Sequence, residues 1–97
     1  MSSYMLLCNY TEQAVRNMKE MTSRRAATRE KAKKLGVEIK AAYLALGVHD
    51  LIVHIEAPDD ATVAKFVLSV AGMGNLRTTT VPVFPDAEFE KIVGGLV

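Results

Sequence analysis

The sequence predicts an α+β fold: a four-stranded antiparallel sheet with two long helices on one side, in the order βαββαβ. Three observations carry this. Two apolar runs flank a polar turn at Gly47-Val48-His49-Asp50, the pattern of a β-hairpin. The second run stops at Pro58-Asp59-Asp60, a helix start. A helix-like segment and a strand-like segment lie on each side of this hairpin. With 97 residues, nearly half of them apolar, the chain makes one domain with its own core, 1–97.

The first strand is read at Tyr4 to Tyr10, apolar on both phases and therefore central. Thr11 can cap the next segment, with Glu12 well placed in its first turn. The stretch from Thr11 to Leu35 is helical in character. Unbroken it would run about 37 Å, longer than the sheet it covers. A break is therefore expected at Met21-Thr22-Ser23, with Ser23 as a second N-cap and Val15, Met18 and Leu35 facing the core. Arg24 and Arg25 then sit at the unfavourable positive end of the second piece and call for partners. Gly36 ends the helix as a left-handed cap.

Val37 to Leu46 and Leu51 to Ala57 form the hairpin strands. The third strand alternates: Leu51, Val53 and Ile55 are assigned to the helix side, and Asp50, Ile52, His54 and Glu56 to the other. An aspartate after Pro58 caps the second long helix, whose Val63, Phe66, Val67 and Val70 form an apolar stripe. Gly72 and Gly74 close it. Leu76 to Phe84 is the fourth strand, at a sheet edge because Pro82 cannot donate to a ladder. Pro85-Asp86 opens a short terminal helix carrying Phe89, Ile92, Val93 and Leu96. Right-handed crossovers turn this order into the ferredoxin-like βαββαβ sandwich with a short C-terminal helix.

Composition narrows the function classes. A single cysteine, Cys8, forbids an internal disulfide and leaves a structural zinc site without its thiolates. His49 and His54 are poorly spaced for a metal, so no metal and no cofactor is expected. The N-terminus lacks the pattern of a signal peptide and no run approaches a membrane span, so the expected setting is cytoplasmic, with no membrane partner. The third strand, DLIVHIEA, has no aromatic on which to stack a base, so no nucleic-acid partner is expected. Gly72-Met73-Gly74-Asn75 follows a helix and precedes a strand, the reverse of a phosphate loop, and reads as a helix stop.

Charge is uneven. From Arg16 to Lys40 nine basic residues face three acidic ones, while the rest of the chain is net negative. The plain reading is a solvated helix face; the sharper one is a basic helix that meets an anionic ligand or the acidic part of another subunit.

With both long helices on one side, the opposite sheet face is bare. Apolar patches of that size are rarely left wet. The terminal helix, a ligand or a second subunit must cover it. The simplest solution is a homo-oligomer joined sheet to sheet, a dimeric α+β-barrel-like assembly with a site between the sheets. His54 shares this face with Asp50 and Glu56, and Arg77 and Thr79 share a face on the fourth strand. An imidazole, a guanidinium and a hydroxyl on one half-buried surface can bind a small anion or move a proton. The plainer reading of His54 is an interface histidine bonded to a neighbouring carboxylate or threonine. His49 is expected in solvent, Asp50 to brace its own turn, and Cys8 to be a buried free thiol.

The segments LGVHDLIVHIEAPDD and GNLRTTTVPVF resemble the GYD-domain family of small bacterial proteins. The matching positions are Gly47 and Asp50, then Glu56 to Asp59, then Gly74, Asn75, Arg77 and Thr78. His49 stands where the family usually has tyrosine. The resemblance implies a ferredoxin-like, oligomeric protein and no established reaction.

The function expected from the sequence is a non-enzymatic oligomeric α+β domain that binds a small molecule, anionic or neutral, or a protein partner. His54, Arg77, Tyr43, Asn75 and Asp50 would line or brace the pocket. Two alternatives stand beside it. One is a cofactor-independent enzyme of the dimeric α+β-barrel type, with His54 as general base and Arg77 stabilising negative charge. The other is a purely structural assembly module.

Overall fold

A computed structural model describes residues 1–97. Strands β1 (Ser2–Tyr10), β2 (Glu38–Leu44), β3 (Leu51–Ala57) and β4 (Leu76–Val83) form one sheet in the order β2-β3-β1-β4. All neighbours are antiparallel. Helices α2 (Met21–Leu35) and α3 (Asp60–Ala71) lie on one side of it. The α+β, ferredoxin-like expectation holds, and Pro82 falls on the edge strand β4 opposite Tyr4.

The helical segment after β1 breaks earlier than expected. Helix α1 (Glu12–Arg16) is capped by Thr11, whose Oγ1 accepts the Ala14 N–H at 3.2 Å. It stops at Asn17, whose backbone leaves the helical region and whose Nδ2 donates to the Gln13 carbonyl. A 3₁₀ turn over Met18–Glu20 then leads into α2. Ser23 is not a cap; its hydroxyl donates to the Glu20 carbonyl. Arg24 finds a partner in Glu20, one helical turn back, at 3.4 Å.

The break rotates the chain, so the apolar positions counted through it were wrong. Val15 and Met18 are exposed, while Ala14, Met21 and Ala32 are buried and Leu35 is half-buried against the core. Gly36 ends α2 at φ 76°, the left-handed conformation expected of it.

The core lies between sheet and helices. Tyr4, Leu6 and Cys8 of β1 meet Leu51, Ile55 and Ala57 of β3, covered by Val63, Phe66 and Val70 of α3. The α3 stripe is the expected one. Asp59 caps α3: its Oδ1 accepts from the Thr62 N–H at 2.9 Å and the Thr62 hydroxyl at 2.7 Å. Strand β2 is shorter than expected and carries a bulge between Ile39 and Ala41. The connection to β3 accordingly spans Ala45 to Asp50, closed by the Ala45 N–H to the Asp50 carbonyl at 2.8 Å.

Helix α4 (Asp86–Gly94) adds nothing to this core. No residue of it is buried, and Phe89 is 61% exposed. The chain measures 52 × 31 × 17 Å, with a radius of gyration of 14.8 Å; a compact chain of this length has roughly 12.5 Å. Its surface is 6672 Å², against about 5,500 Å² for a compact monomer of this mass. No helix is long and apolar enough to cross a membrane.

Candidate functional site

The sheet face turned away from the helices is laid out in rows by the strand register. Ser3 of β1 stands between Glu56 and Val83; Met5 between His54 and Val81; Leu7 between Ile52 and Thr79; Asn9 opposite Arg77. On the outer side of β3, Ala41 opposes His54 and Tyr43 opposes Ile52. The centre is thus an apolar patch of Met5, Leu7 and Ile52, extended by Tyr43 on one edge and Val81 on the other. Polar groups sit at its ends. Ser3 is buried, Met5, Leu7, Ile52 and His54 are half-buried, and Tyr43 and Val81 are exposed.

This register separates residues that the sequence could only place on one face. His54 and Arg77 lie four residues apart along β1, about 14 Å, and on opposite sides of that strand. The His54 imidazole makes no hydrogen bond within the chain, and its nearest cross-strand neighbours are Met5 and Ala41. Within one protomer these side chains form no catalytic cluster. No group of three or more His, Cys, Asp or Glu converges either.

Asp50 and Asn75 are fastened into loops. Asp50 Oδ2 accepts the Tyr10 N–H at 3.0 Å, and the Asp50 N–H donates to the Cys8 carbonyl at 2.9 Å. Asp50 therefore braces the end of β1 through its side chain and N–H, while its carbonyl closes its own turn. Beside it Asn9 Nδ2 donates to the Val48 carbonyl at 2.8 Å, and His49 Nδ1 lies 3.2 Å from Asn9 Oδ1, a bond for which Nδ1 must carry the proton. His49 is consequently half-buried and not free in solvent as expected. Gly47, at φ 119°, makes the reversal that brings this loop back onto β1.

Asn75 lies in the turn between α3 and β4, at the same end of β1 as Asp50. Its carbonyl accepts the Thr11 N–H at 3.0 Å, and Thr11 Oγ1 donates to the Gly74 carbonyl at 2.7 Å. Its Oδ1 takes a long bond from Gln13 Nε2, and its Nδ2 is buried without a partner. Gly74 is at φ 80°, beneath the Gln13 side chain.

Two ionisable groups are shifted by this architecture near the sheet. Burial pushes the Cys8 thiol up to about 11, so it is a neutral thiol in the core. The Tyr4 hydroxyl donates to Asp60 Oδ1 at 2.6 Å, and that bond raises its pKa. Neither faces the open side.

What the sequence did not show is a hollow beneath α2. Arg24, Arg25 and Arg29 line hollows beneath the helix. The sequence marked the segment as basic and Arg24 and Arg25 as needing partners, but not the hollow that these two border with the exposed Arg29.

Comparison with known proteins bears on the whole chain. The model of the GYD domain family matches residues 4–93. A Thermus thermophilus protein named "Glutamine synthetase and cystathionine beta-lyase binding protein" is 29% identical over 89 residues, 91% of this chain and 94% of its own length. Among solved structures, MtbAldR superposes with a TM-score of 0.67 at 19% identity over 88% of this chain, which corresponds to 52% of that longer protein. FFRP-DM1 gives a TM-score of 0.58 at 21% identity, covering 87% of this chain and all of the other. A solved structure from Thermus thermophilus gives 0.58 at 18% identity, over 88% and 95% of the two chains. At these identities the structural matches speak to the fold alone.

Proposed function

The chain belongs to the GYD-domain family, and on that premise we propose that it is a non-enzymatic, oligomeric α+β domain that binds another protein. The observation that carries this is apolar surface left open in two places: the sheet face, half-buried at Met5, Leu7 and Ile52 and exposed at Tyr43 and Val81, and the unpacked helix α4. The chain exposes 6672 Å², roughly 1,200 Å² beyond a compact monomer. One partner of a standard interface buries about 800 Å². Burial of the apolar centre of the open face by a second copy, at about 25 cal/mol per Å², is the driving force.

In this reading Tyr43, Ile52, Leu7 and Met5 are the anchors of sheet-to-sheet association. His54 and Arg77 sit within or beside that interface, where two protomers bring together groups one protomer keeps apart. Asp50 and Asn75 hold two loops at one end of the sheet. The apolar side of α4, with Phe89, Ile92 and Val93, remains for a partner protein.

The name of the Thermus relative supports a protein partner drawn from metabolic enzymes, because that protein is similar over nearly its full length. The test uses purified glutamine synthetase and cystathionine β-lyase from the same source as this protein, passed over the immobilised full chain. Saturable binding of either enzyme, lost on Phe89→Asp together with Ile92→Asp, is expected. Absence of binding to both enzymes, or binding indifferent to the double substitution, contradicts the reading.

A further inference from the structure

On the helix side of the sheet, α2 spans the layer with little apolar side chain to fill it. Only Met21 and Ala32 of its fifteen residues are buried. A hollow of about 80 Å³ is left beneath it, floored by Leu6, Cys8, Val53 and Phe66 and edged by Arg25 and Arg29. A second lobe of about 40 Å³ adjoins it, lined by Met21, Arg24 and Asn75. The two share Arg25, Thr28, Leu51, Val70 and Leu76, so they form one cleft. Each lobe exceeds the roughly 10–15 Å³ that one water requires.

Three features of this cleft point to a ligand. First, the only two buried side-chain polar atoms lacking a partner are Arg24 Nε and Asn75 Nδ2, and both residues line the small lobe. Both atoms are donors, and Asn75 is only 6% exposed. A buried donor without an acceptor is costly, by about 1–3 kcal/mol each in general. Second, three arginines line the cleft and no carboxylate does: Arg24 Nη2 meets Glu20 outside it at 3.4 Å, and Arg25 and Arg29 are exposed at its edge. A single water could accept from both donors, but it brings no negative charge. Third, the large lobe is apolar, and its one ionisable floor group, Cys8, is a buried thiol. Water gains little there.

We infer that this cleft binds a small aliphatic carboxylate, its oxygens accepting from Arg24 Nε and Asn75 Nδ2 and its hydrocarbon tail lying over Cys8. The site is on the opposite side of the sheet from the proposed protein interface and does not depend on it. It also gives the orphaned amide of Asn75 a partner, which no residue of the chain supplies.

Titration of the ¹⁵N-labelled full chain with sodium hexanoate tests the inference, with 1-hexanol at matched concentrations as the uncharged control. Saturable shifts of the Arg24 Nε–H and Asn75 side-chain amide signals are expected with hexanoate. Removing the charge, as in hexanol, or the donor, as in Arg24→Met, should weaken binding about tenfold, the scale of one charged hydrogen bond. Ala42→Leu fills the apolar lobe without touching either donor and should also abolish the shifts. Hexanol binding as tightly as hexanoate, unchanged affinity in both variants, or no saturable shift up to about 10 mM, weaker than any ordinary ligand, overturns the inference. A chain that binds hexanoate yet stays monomeric supports this site while contradicting the proposed assembly.

Discussion

Asp50 Oδ2 accepts the backbone N–H of Tyr10 at 3.0 Å, tying the loop between β2 and β3 to the end of β1. The Asp50 N–H to Cys8 carbonyl bond continues the same tie. The other two family segments work alike. Asp59 caps α3, and Gly74-Asn75 is bonded to Thr11, the cap of α1. Each of these motifs fixes the end of a loop through polar side chains and backbone groups.

Replacing Asp50 by alanine should therefore act on stability. A charge-assisted hydrogen bond at a half-buried position is lost, at about 1–2 kcal/mol. Urea unfolding should show a lower midpoint with an unchanged slope. A midpoint equal to the parent's would mean that the loop holds without its carboxylate.

Asp59 gives a pH-dependent effect of known sign. The Thr62 hydroxyl, then the Thr62 N–H, hold its carboxyl below the usual carboxylate range. A carboxyl depressed in the folded state stabilises the fold above its unfolded pKa and loses that contribution as pH falls through the folded value. The stability difference between the parent and Asp59→Ala should be constant near neutrality and shrink in acid. Thermal melts across the range from pH 7 downward read it; a difference that grows in acid is the wrong sign.

Cys8 should resist modification. It is 1% exposed and its thiol is pushed up to about 11. Iodoacetamide at pH 8 should leave the folded chain almost unlabelled and label it fully in denaturant, read by mass spectrometry. Rapid labelling of the folded chain would mean that the cleft beneath α2 opens freely.

Helix α4 should be dispensable for the fold of a single chain. Because none of its residues is buried, the Phe89→Asp and Ile92→Asp pair should leave the far-ultraviolet circular dichroism unchanged and the melting temperature within a few degrees. A collapse of the fold would give α4 a packing role that its exposure denies.

Much of this architecture was legible in the residues. The alternation of Leu51, Val53 and Ile55, the Asp59 cap and the α3 stripe announced their elements, because strand and helix periods differ and a capping carboxylate is local chemistry. Gly36 and Pro82 were legible for the same reason: each acts through its own backbone. The break at Asn17 was not, since a side chain bonding back to Gln13 has no periodic signature. That miss carried Val15 and Met18 onto the wrong face. The open-face residues were grouped correctly, but rows need register, and strands one and two are apolar on either phase. The cleft was hidden because a hollow is made by what α2 lacks, and a helix of short and basic residues reads as a solvated one.

The mass of the purified chain, measured by sedimentation equilibrium beside the Ile52→Glu variant, decides whether the bare sheet face is an interface. The parent should sediment at no less than twice 10.6 kDa, and the variant, with a charge set in the apolar row between Leu7 and Tyr43, at 10.6 kDa. A parent that sediments at 10.6 kDa at high concentration contradicts the account.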